Sequence, residues 1–152
     1  MKYSVDTSAI LRLSVRSYPR LNFPSLWAKI EGLIADGHFA ATELVLTELE
    51  KKDDDAYQWA RRWKQMFVSI DEAIQLSVRT ILADHERLVD QRKGRSGADP
   101  FVIALAEMNG CAVVTDEDLG SEAKPHIPYV CRARNIKVLS VLELIQEERW
   151  VI

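Results

Sequence analysis

Short apolar runs rich in β-branched and aromatic residues alternate along the chain with longer segments in which apolar residues recur every three to four positions. This alternation is typical of βαβ units and predicts a parallel sheet covered by helices. The runs that qualify as strands are residues 2–5, 38–41, 67–70, 112–115 and 136–139. We therefore expect an α/β fold.

Residues that favour the first turn of a helix stand at the start of several helical segments. Pro24 suits the first helical position, and Thr42, Asp71 and Ser140 have side chains that can cap a helix. After Asp71, apolar residues continue at helical spacing as far as Leu88, which predicts one long helix.

Composition narrows the class of protein. A chain of 152 residues with 47% hydrophobic content fits one domain over residues 1–152 with a core of its own. The net charge of -3 gives no global basic surface, so contact with nucleic acid would have to come from a local patch. No basic leader followed by an apolar stretch opens the chain, and no apolar run is long enough for a bilayer, so we expect a cytoplasmic protein without membrane contact.

Residues 90–99 interrupt the helical pattern with glycines and cations. Two interpretations remain open for this loop. It is either a flexible linker whose charges improve solubility, or a phosphate-binding rim in which Lys93 and Arg95 contact a nucleic-acid backbone.

Four acidic positions have an ordinary structural explanation when each is taken alone. Asp6 and Asp99 would cap the helices that follow them, and Glu48 would be an exposed helix residue. The acidic run 116–118 would be a solvated turn. Together the four positions suggest a shared site, because side chains at the carboxyl ends of adjacent parallel strands converge on one crevice. If the first and fourth strands are neighbours, all four positions lie at the same edge.

The segments that carry these acids also resemble a known family. The matching stretches are Val5-Asp6-Thr7-Ser8, Phe23-Pro24-Ser25-Leu26-Trp27, Ala98-Asp99-Pro100-Phe101-Val102-Ile103-Ala104-Leu105-Ala106 and Val113-Val114-Thr115. In these stretches the chain resembles the PIN-domain ribonucleases, including the VapC-like toxins, and within that superfamily the PIN-like DUF4411 family.

The resemblance implies a three-layer α/β/α fold with a five-stranded parallel sheet in the order 3-2-1-4-5. It also implies a metal-dependent endoribonuclease that hydrolyses RNA phosphodiester bonds, as the toxin of a toxin-antitoxin pair. The expected partners are an RNA substrate, an antitoxin protein and a second copy of the chain. Its catalytic and metal-binding residues would be Asp6, Glu48, Asp99 and Glu117, with Asp116 and Asp118 as alternate ligands.

The chemistry of these side chains agrees with that expectation. Two carboxylates about 4 Å apart repel by about 4 kcal/mol at an effective dielectric constant near 20, so a crevice of four needs protons or a cation. Oxygen ligands favour Mg²⁺ or Mn²⁺. We expect the Ser8 and Thr115 hydroxyls to hold the carboxylates in place, and Lys93 and Arg95 to contact the RNA backbone.

Two other classes of function remain open. A PIN-like fold without activity would be an interaction module, although the presence of all four acids argues against it. A phosphate-handling α/β module, such as a receiver or phosphatase, is the weaker alternative, because Asp6-Thr7-Ser8 lacks the second Asp of an Asp-x-Asp loop.

Overall fold

Five parallel strands of the described residues form one sheet, in which the strands, counted along the chain, follow the order 3-2-1-4-5. The computed structural model describes residues 1–89 and 97–152. Its strands are β1 (Tyr3–Val5), β2 (Phe39–Thr42), β3 (Phe67–Val68), β4 (Ala112–Val114) and β5 (Val138–Leu139). The predicted fold class and strand order are therefore confirmed, whereas most of the paired segments are shorter than the apolar runs that predicted them.

Helices connect these strands. They are α1 (Thr7–Leu11), α2 (Pro24–Ala35), α3 (Glu43–Lys52), α4 (Asp54–Arg62), α5 (Glu72–Asp84), α6 (Asp99–Asn109), α7 (Ile127–Ala133) and α8 (Val141–Glu147). A π-helical segment, Arg12–Ser17, continues α1, and short 3₁₀ turns occupy Lys64–Met66 and Glu86–Leu88. The prediction of one long helix as far as Leu88 is wrong, because α5 ends at Asp84. Leu88 lies in a separate 3₁₀ turn and is buried there, so the spacing of apolar residues continues although α5 does not.

Local capping accounts for two of the predicted helix starts. Asp71 accepts a hydrogen bond from the Ile74 N–H at 2.8 Å, and Ser140 forms a reciprocal capping box with Glu143. Thr42 precedes α3 as predicted, but its side chain makes no capping hydrogen bond. Within the described part of the chain, its buried hydroxyl oxygen has no hydrogen-bond partner at all.

The helices divide between the two faces of the sheet. α5 packs on α6 and α6 on α7, whereas α3 packs on α1 and on α4. This division follows from the strand order, because the chain runs one way across the sheet from β1 to β3 and the opposite way from β3 to β5. Right-handed crossovers that run in opposite directions place their helices on opposite faces. Side chains from both faces and from the strands form the hydrophobic core. The result is the expected three-layer arrangement.

The path of α6 determines which edge of the sheet its first residue occupies. α6 leads through Gly110 and Cys111 into β4, whose first residue, Ala112, pairs with Tyr3 at the start of β1. The end of α6 therefore lies at the amino edge of the sheet. At about 1.5 Å per residue, an eleven-residue helix spans about 16 Å, so its beginning lies at the carboxyl edge.

Across residues 1–89 and 97–152, the helices are too short or too polar for any of them to traverse a lipid bilayer.

Candidate metal-binding site at the carboxyl edge of the sheet

The carboxylate of Asp6 is buried where β1 ends, with 2% of the residue exposed. The Asp6 N–H donates to the Val114 carbonyl at 2.9 Å, which continues the pairing of β1 with β4. The Ser8 hydroxyl donates to Asp6 Oδ2 at 2.6 Å, and the Thr115 hydroxyl donates to the same oxygen at 2.9 Å. Asp6 occupies the position before α1 without making a side-chain capping bond, so the simple capping interpretation does not describe it.

Both hydroxyls also accept hydrogen bonds, which fixes the direction of their protons. Ser8 Oγ accepts the Asp116 N–H at 2.9 Å, and Thr115 Oγ1 accepts the Glu117 N–H at 3.1 Å. The two hydroxyl oxygens lie 3.1 Å apart. We call Asp6, Ser8 and Thr115 the hydroxyl–carboxylate cluster. It ties the backbone after β4 to the carboxylate after β1.

Burial makes the charged form of Asp6 costly. Loss of solvent raises the pKa of its carboxyl group above the ordinary value, and the hydrogen bonds from Ser8 and Thr115 oppose that rise. The cluster thus stabilises a carboxylate in a place where water cannot.

Glu48 is a half-buried residue of α3 beside the cluster. Its Oε2 accepts a hydrogen bond from the Thr7 hydroxyl at 2.8 Å. Its Oε1 is buried and has no hydrogen-bond partner within the described residues. Burial is the main cause that raises the pKa of Glu48, and the negative charge of Asp6 raises it further. Thr7 was missed as a functional candidate in the sequence, although its position next to Asp6 was a usable signal.

Asp99 is buried at the start of α6, with 8% of the residue exposed. Ala98 takes the cap position and Asp99 is the first residue of the helix, so the predicted cap is off by one residue. The Ser4 hydroxyl of β1 donates to the Val102 carbonyl at 2.7 Å and anchors α6 to the strand that ends at Asp6. Asp99, one turn before Val102, therefore lies at the same edge as Asp6.

The three acids after Thr115 have different partners. Asp116 accepts hydrogen bonds from Arg12 and Arg16. Glu117 Oε2 accepts the N–H of Ile127, the first residue of α7, at 3.1 Å. Asp118 points outward, with 84% of its side chain exposed and the His126 ring nitrogen at 2.6 Å. Asp116 and Asp118, the predicted alternate ligands, are therefore already in contact with basic side chains.

The oxygen atoms of these side chains suit a hard cation, but the side chains do not yet stand close enough together to surround one. Carboxylate oxygens are what Mg²⁺ and Mn²⁺ prefer, and the partnerless Oε1 of Glu48 is an oxygen that a cation or a proton would satisfy. Among residues 1–89 and 97–152, however, no three His, Cys, Asp or Glu side chains already stand together as ligands. The ligand chemistry fits a metal, whereas a closed coordination shell would require carboxylate side chains to move. The predicted RNA contacts Lys93 and Arg95 lie outside the described residues.

The fold and the site define an α/β protein with a doubly wound parallel sheet and buried carboxylates at its carboxyl edge. The model of the family described as Domain of unknown function (DUF4411) matches residues 3–152, and the chain belongs to this family. No curated protein matches the chain.

Proposed function

We propose that this protein is a PIN-like endoribonuclease that hydrolyses RNA phosphodiester bonds with Mg²⁺ or Mn²⁺. The observation that carries the proposal is the pairing of the buried Asp6 carboxylate, held by two hydroxyls, with the half-buried Glu48, whose Oε1 lacks a partner within the described residues. Burying charged groups in this way costs stability, and such sites are common where chemistry requires them. The resemblance of the acid-bearing segments to PIN-domain ribonucleases supplies the reaction class.

In this proposal Asp6, Asp99 and Glu117 bind the ion, and Glu48 binds it directly or through water. A bound divalent ion would supply a Lewis acid that activates water and offsets charge on the phosphoryl oxygens. Ser8 and Thr115 orient Asp6. Where Glu48 binds the ion through water, its Oε1 orients the attacking water, because this oxygen has no hydrogen-bond partner within the described residues.

The biological setting is part of the proposal. By resemblance, the protein acts in the cytoplasm as the toxin of a toxin-antitoxin pair and forms a homodimer. Size-exclusion chromatography with light scattering would measure the oligomeric state. Co-expression with the product of a neighbouring gene would test whether an antitoxin exists.

The decisive experiment compares cleavage of mixed RNA by the wild type and by Asp6→Asn, with Mg²⁺ or Mn²⁺ and with EDTA. We expect cleavage by the wild type that EDTA abolishes. Asp6→Asn should reduce cleavage by more than about tenfold, because losing even a side chain that only supports a metal ligand typically costs about 10- to 100-fold. Cleavage that survives both chelation and the substitution would refute the proposal.

Glu48 offers a matched control on its own helix. Glu48→Gln should reduce cleavage, whereas Glu50→Gln, which changes an exposed residue of α3, should not. Thermal unfolding adds a second readout. An ion present at a hundred times its Kd stabilises the folded state by about 2.7 kcal/mol, and this gain should be lost in Asp6→Asn but kept in Glu50→Gln.

An interaction module without activity is the second candidate. The observation that favours it is that the described residues contain no group of three metal-ligating side chains already in place. This candidate predicts no RNA cleavage and no stabilisation by either ion. Metal-dependent stabilisation of the wild type that Asp6→Asn abolishes would exclude it.

A further inference from the structure

Two arginines converge on one carboxylate beside the proposed active site. Arg12 Nε donates to Asp116 Oδ1 at 2.8 Å, and Arg16 donates from a terminal guanidinium nitrogen to Oδ2 at 3.0 Å. A second nitrogen of Arg12 donates to the Ser17 hydroxyl at 3.1 Å. We call Arg12, Arg16 and Asp116 the arginine clamp. It joins residues about a hundred positions apart in the chain, so it is a product of folding.

The backbone that carries the clamp has an unusual geometry. Arg12 and Arg16 lie in the π-helical segment, whose wider turn closes with the Tyr18 N–H donating to the Leu13 carbonyl at 3.1 Å. Residues four apart lie on one side of such a turn, which brings the two guanidinium groups together. π-helical turns are rare and are frequently found at functional sites.

The clamp presents positive charge to solvent. The Asp116 side chain is 14% exposed, whereas the side chains of Arg12 and Arg16 are 40% and 54% exposed. Two cations face one anion, so a net positive charge remains on the outer side. Each guanidinium carries five N–H donors, and within residues 1–89 and 97–152 only some of them have protein acceptors.

The clamp is linked directly to the acid site. The Asp116 N–H donates to Ser8 Oγ, and the same hydroxyl donates to Asp6. Arg12 and Asp116 also line a cavity of about 230 Å³. Neither Arg16 nor a residue of the hydroxyl–carboxylate cluster is among the described residues that line this cavity. The link between the arginine clamp and the cluster is therefore the hydrogen bond from the Asp116 N–H to Ser8.

Charge and geometry indicate what that ligand is. Buried carboxylates repel a polyanion, so a nucleic acid reaches them only if nearby cations attract its backbone. Arginine suits phosphate oxygens in particular, since its planar fork donates parallel hydrogen bonds to two of them. Asp116 accepts one N–H from each guanidinium group, and Ser17 accepts one more from Arg12. The N–H groups that have no acceptor among the described residues could donate to a ligand.

We propose that Arg12 and Arg16, oriented by Asp116, bind a backbone phosphodiester group of the RNA beside the acid site. The choice of RNA rests on the proposed function. The arginines are substrate-binding residues and Asp116 is a positioning residue, which replaces its earlier assignment as an alternate metal ligand.

The test measures binding separately from cleavage. Fluorescence anisotropy with a short labelled single-stranded RNA is recorded for the full chain carrying Asp6→Asn, in EDTA, across a series of salt concentrations. Arg16→Ala, Arg16→Lys and Arg12→Lys are added to this background. Arg79→Ala is the matched control, because Arg79 is an exposed arginine of α5 on the other face of the sheet.

We expect Arg16→Ala to weaken RNA binding about tenfold and to reduce the slope of log affinity against log salt by about 0.7, the value for one lost contact to a single strand. The two lysine variants should keep the slope, since they keep the charge, and should lose about threefold in affinity because lysine lacks the fork. Arg79→Ala should leave the slope unchanged. A change in the salt slope reports lost phosphate contact rather than altered folding.

The outcomes separate this inference from the proposed function. RNA binding that depends on Arg16 supports the clamp even if the wild type cleaves nothing. If the wild type cleaves RNA but Arg16→Ala and Arg79→Ala bind RNA with the same affinity and the same salt slope, the role of the clamp is refuted and the proposed ribonuclease activity is not. Absence of RNA binding also overturns it. Displacement of the RNA by a polyglutamate peptide of equal charge, with the same dependence on Arg16, would assign the clamp to an acidic protein partner instead.

Discussion

Replacing Ser8 with alanine tests whether the hydroxyl–carboxylate cluster stabilises the fold. The substitution deletes the 2.6 Å hydrogen bond to Asp6 Oδ2 and removes the acceptor of the Asp116 N–H. A hydrogen bond to a charged group contributes about 1.5 to 3 kcal/mol, and an unsatisfied buried donor costs about 1 to 3 kcal/mol. Ser8 is only half-buried, and Thr115 still donates to Asp6, so both terms belong at the low ends of their ranges. We expect Ser8→Ala to lower the free energy of unfolding by about 2 to 3 kcal/mol at neutral pH.

The effect should depend on pH in a definite direction. The Ser8 hydrogen bond lowers the pKa of Asp6 against the larger effect of burial. Removing it raises that pKa further, and a group whose pKa is raised in the folded state loses stability as pH rises through the folded value. The cost of Ser8→Ala should therefore be smaller at about pH 4 than at about pH 8.

Urea unfolding followed by tryptophan fluorescence measures this, because Trp27 and Trp59 are buried and will report the transition. Ser25→Ala is the control, since Ser25 is an exposed residue in the first turn of α2. A Ser8→Ala cost within about 0.5 kcal/mol of that control, or one independent of pH, would refute the reasoning. A double-mutant cycle with Asp6→Asn should give a coupling free energy of at least about 1 kcal/mol.

Three further substitutions test other parts of the structure. Glu48→Gln removes a carboxyl group whose pKa is raised, so in EDTA the free energy of unfolding of this variant should increase relative to the wild type as pH rises above the usual glutamate pKa. Urea unfolding at a series of pH values measures this difference. Ser140→Ala removes the side-chain cap of α8 and should cost about 1 kcal/mol in the same assay, unless the capping box is not formed in solution. Gly120→Ala places a Cβ 2.5 Å from the Lys124 carbonyl oxygen at a residue with φ of +71°, so this substitution should lower the melting temperature. An unchanged melting temperature in calorimetry would contradict the described geometry of that loop.

Local sequence signals were reliable where the interacting partners are close in the chain. Asp71 and Ser140 each bond to a backbone N–H three residues ahead, so a short sequence window contains the whole interaction. Thr42 has the same favourable residue type and the same position before a helix, yet its side chain makes no such bond. Residue type therefore predicted where helices begin better than it predicted which side chains cap them.

The sequence by itself determined the α/β class and the positions of its strands, because strand and helix periodicities are local properties of the chain. The strand order came from family resemblance and is confirmed by the sheet. The hydroxyls of Ser8 and Thr115, which we expected to hold carboxylates, both donate to Asp6. Only the tertiary structure decided what Glu48 and the arginines contact. Thr7 reaches Glu48 across 41 positions, and Arg12 reaches Asp116 across 104. Such contacts depend on which strand edges the fold brings together, and nothing in a local stretch of sequence specifies a partner that distant.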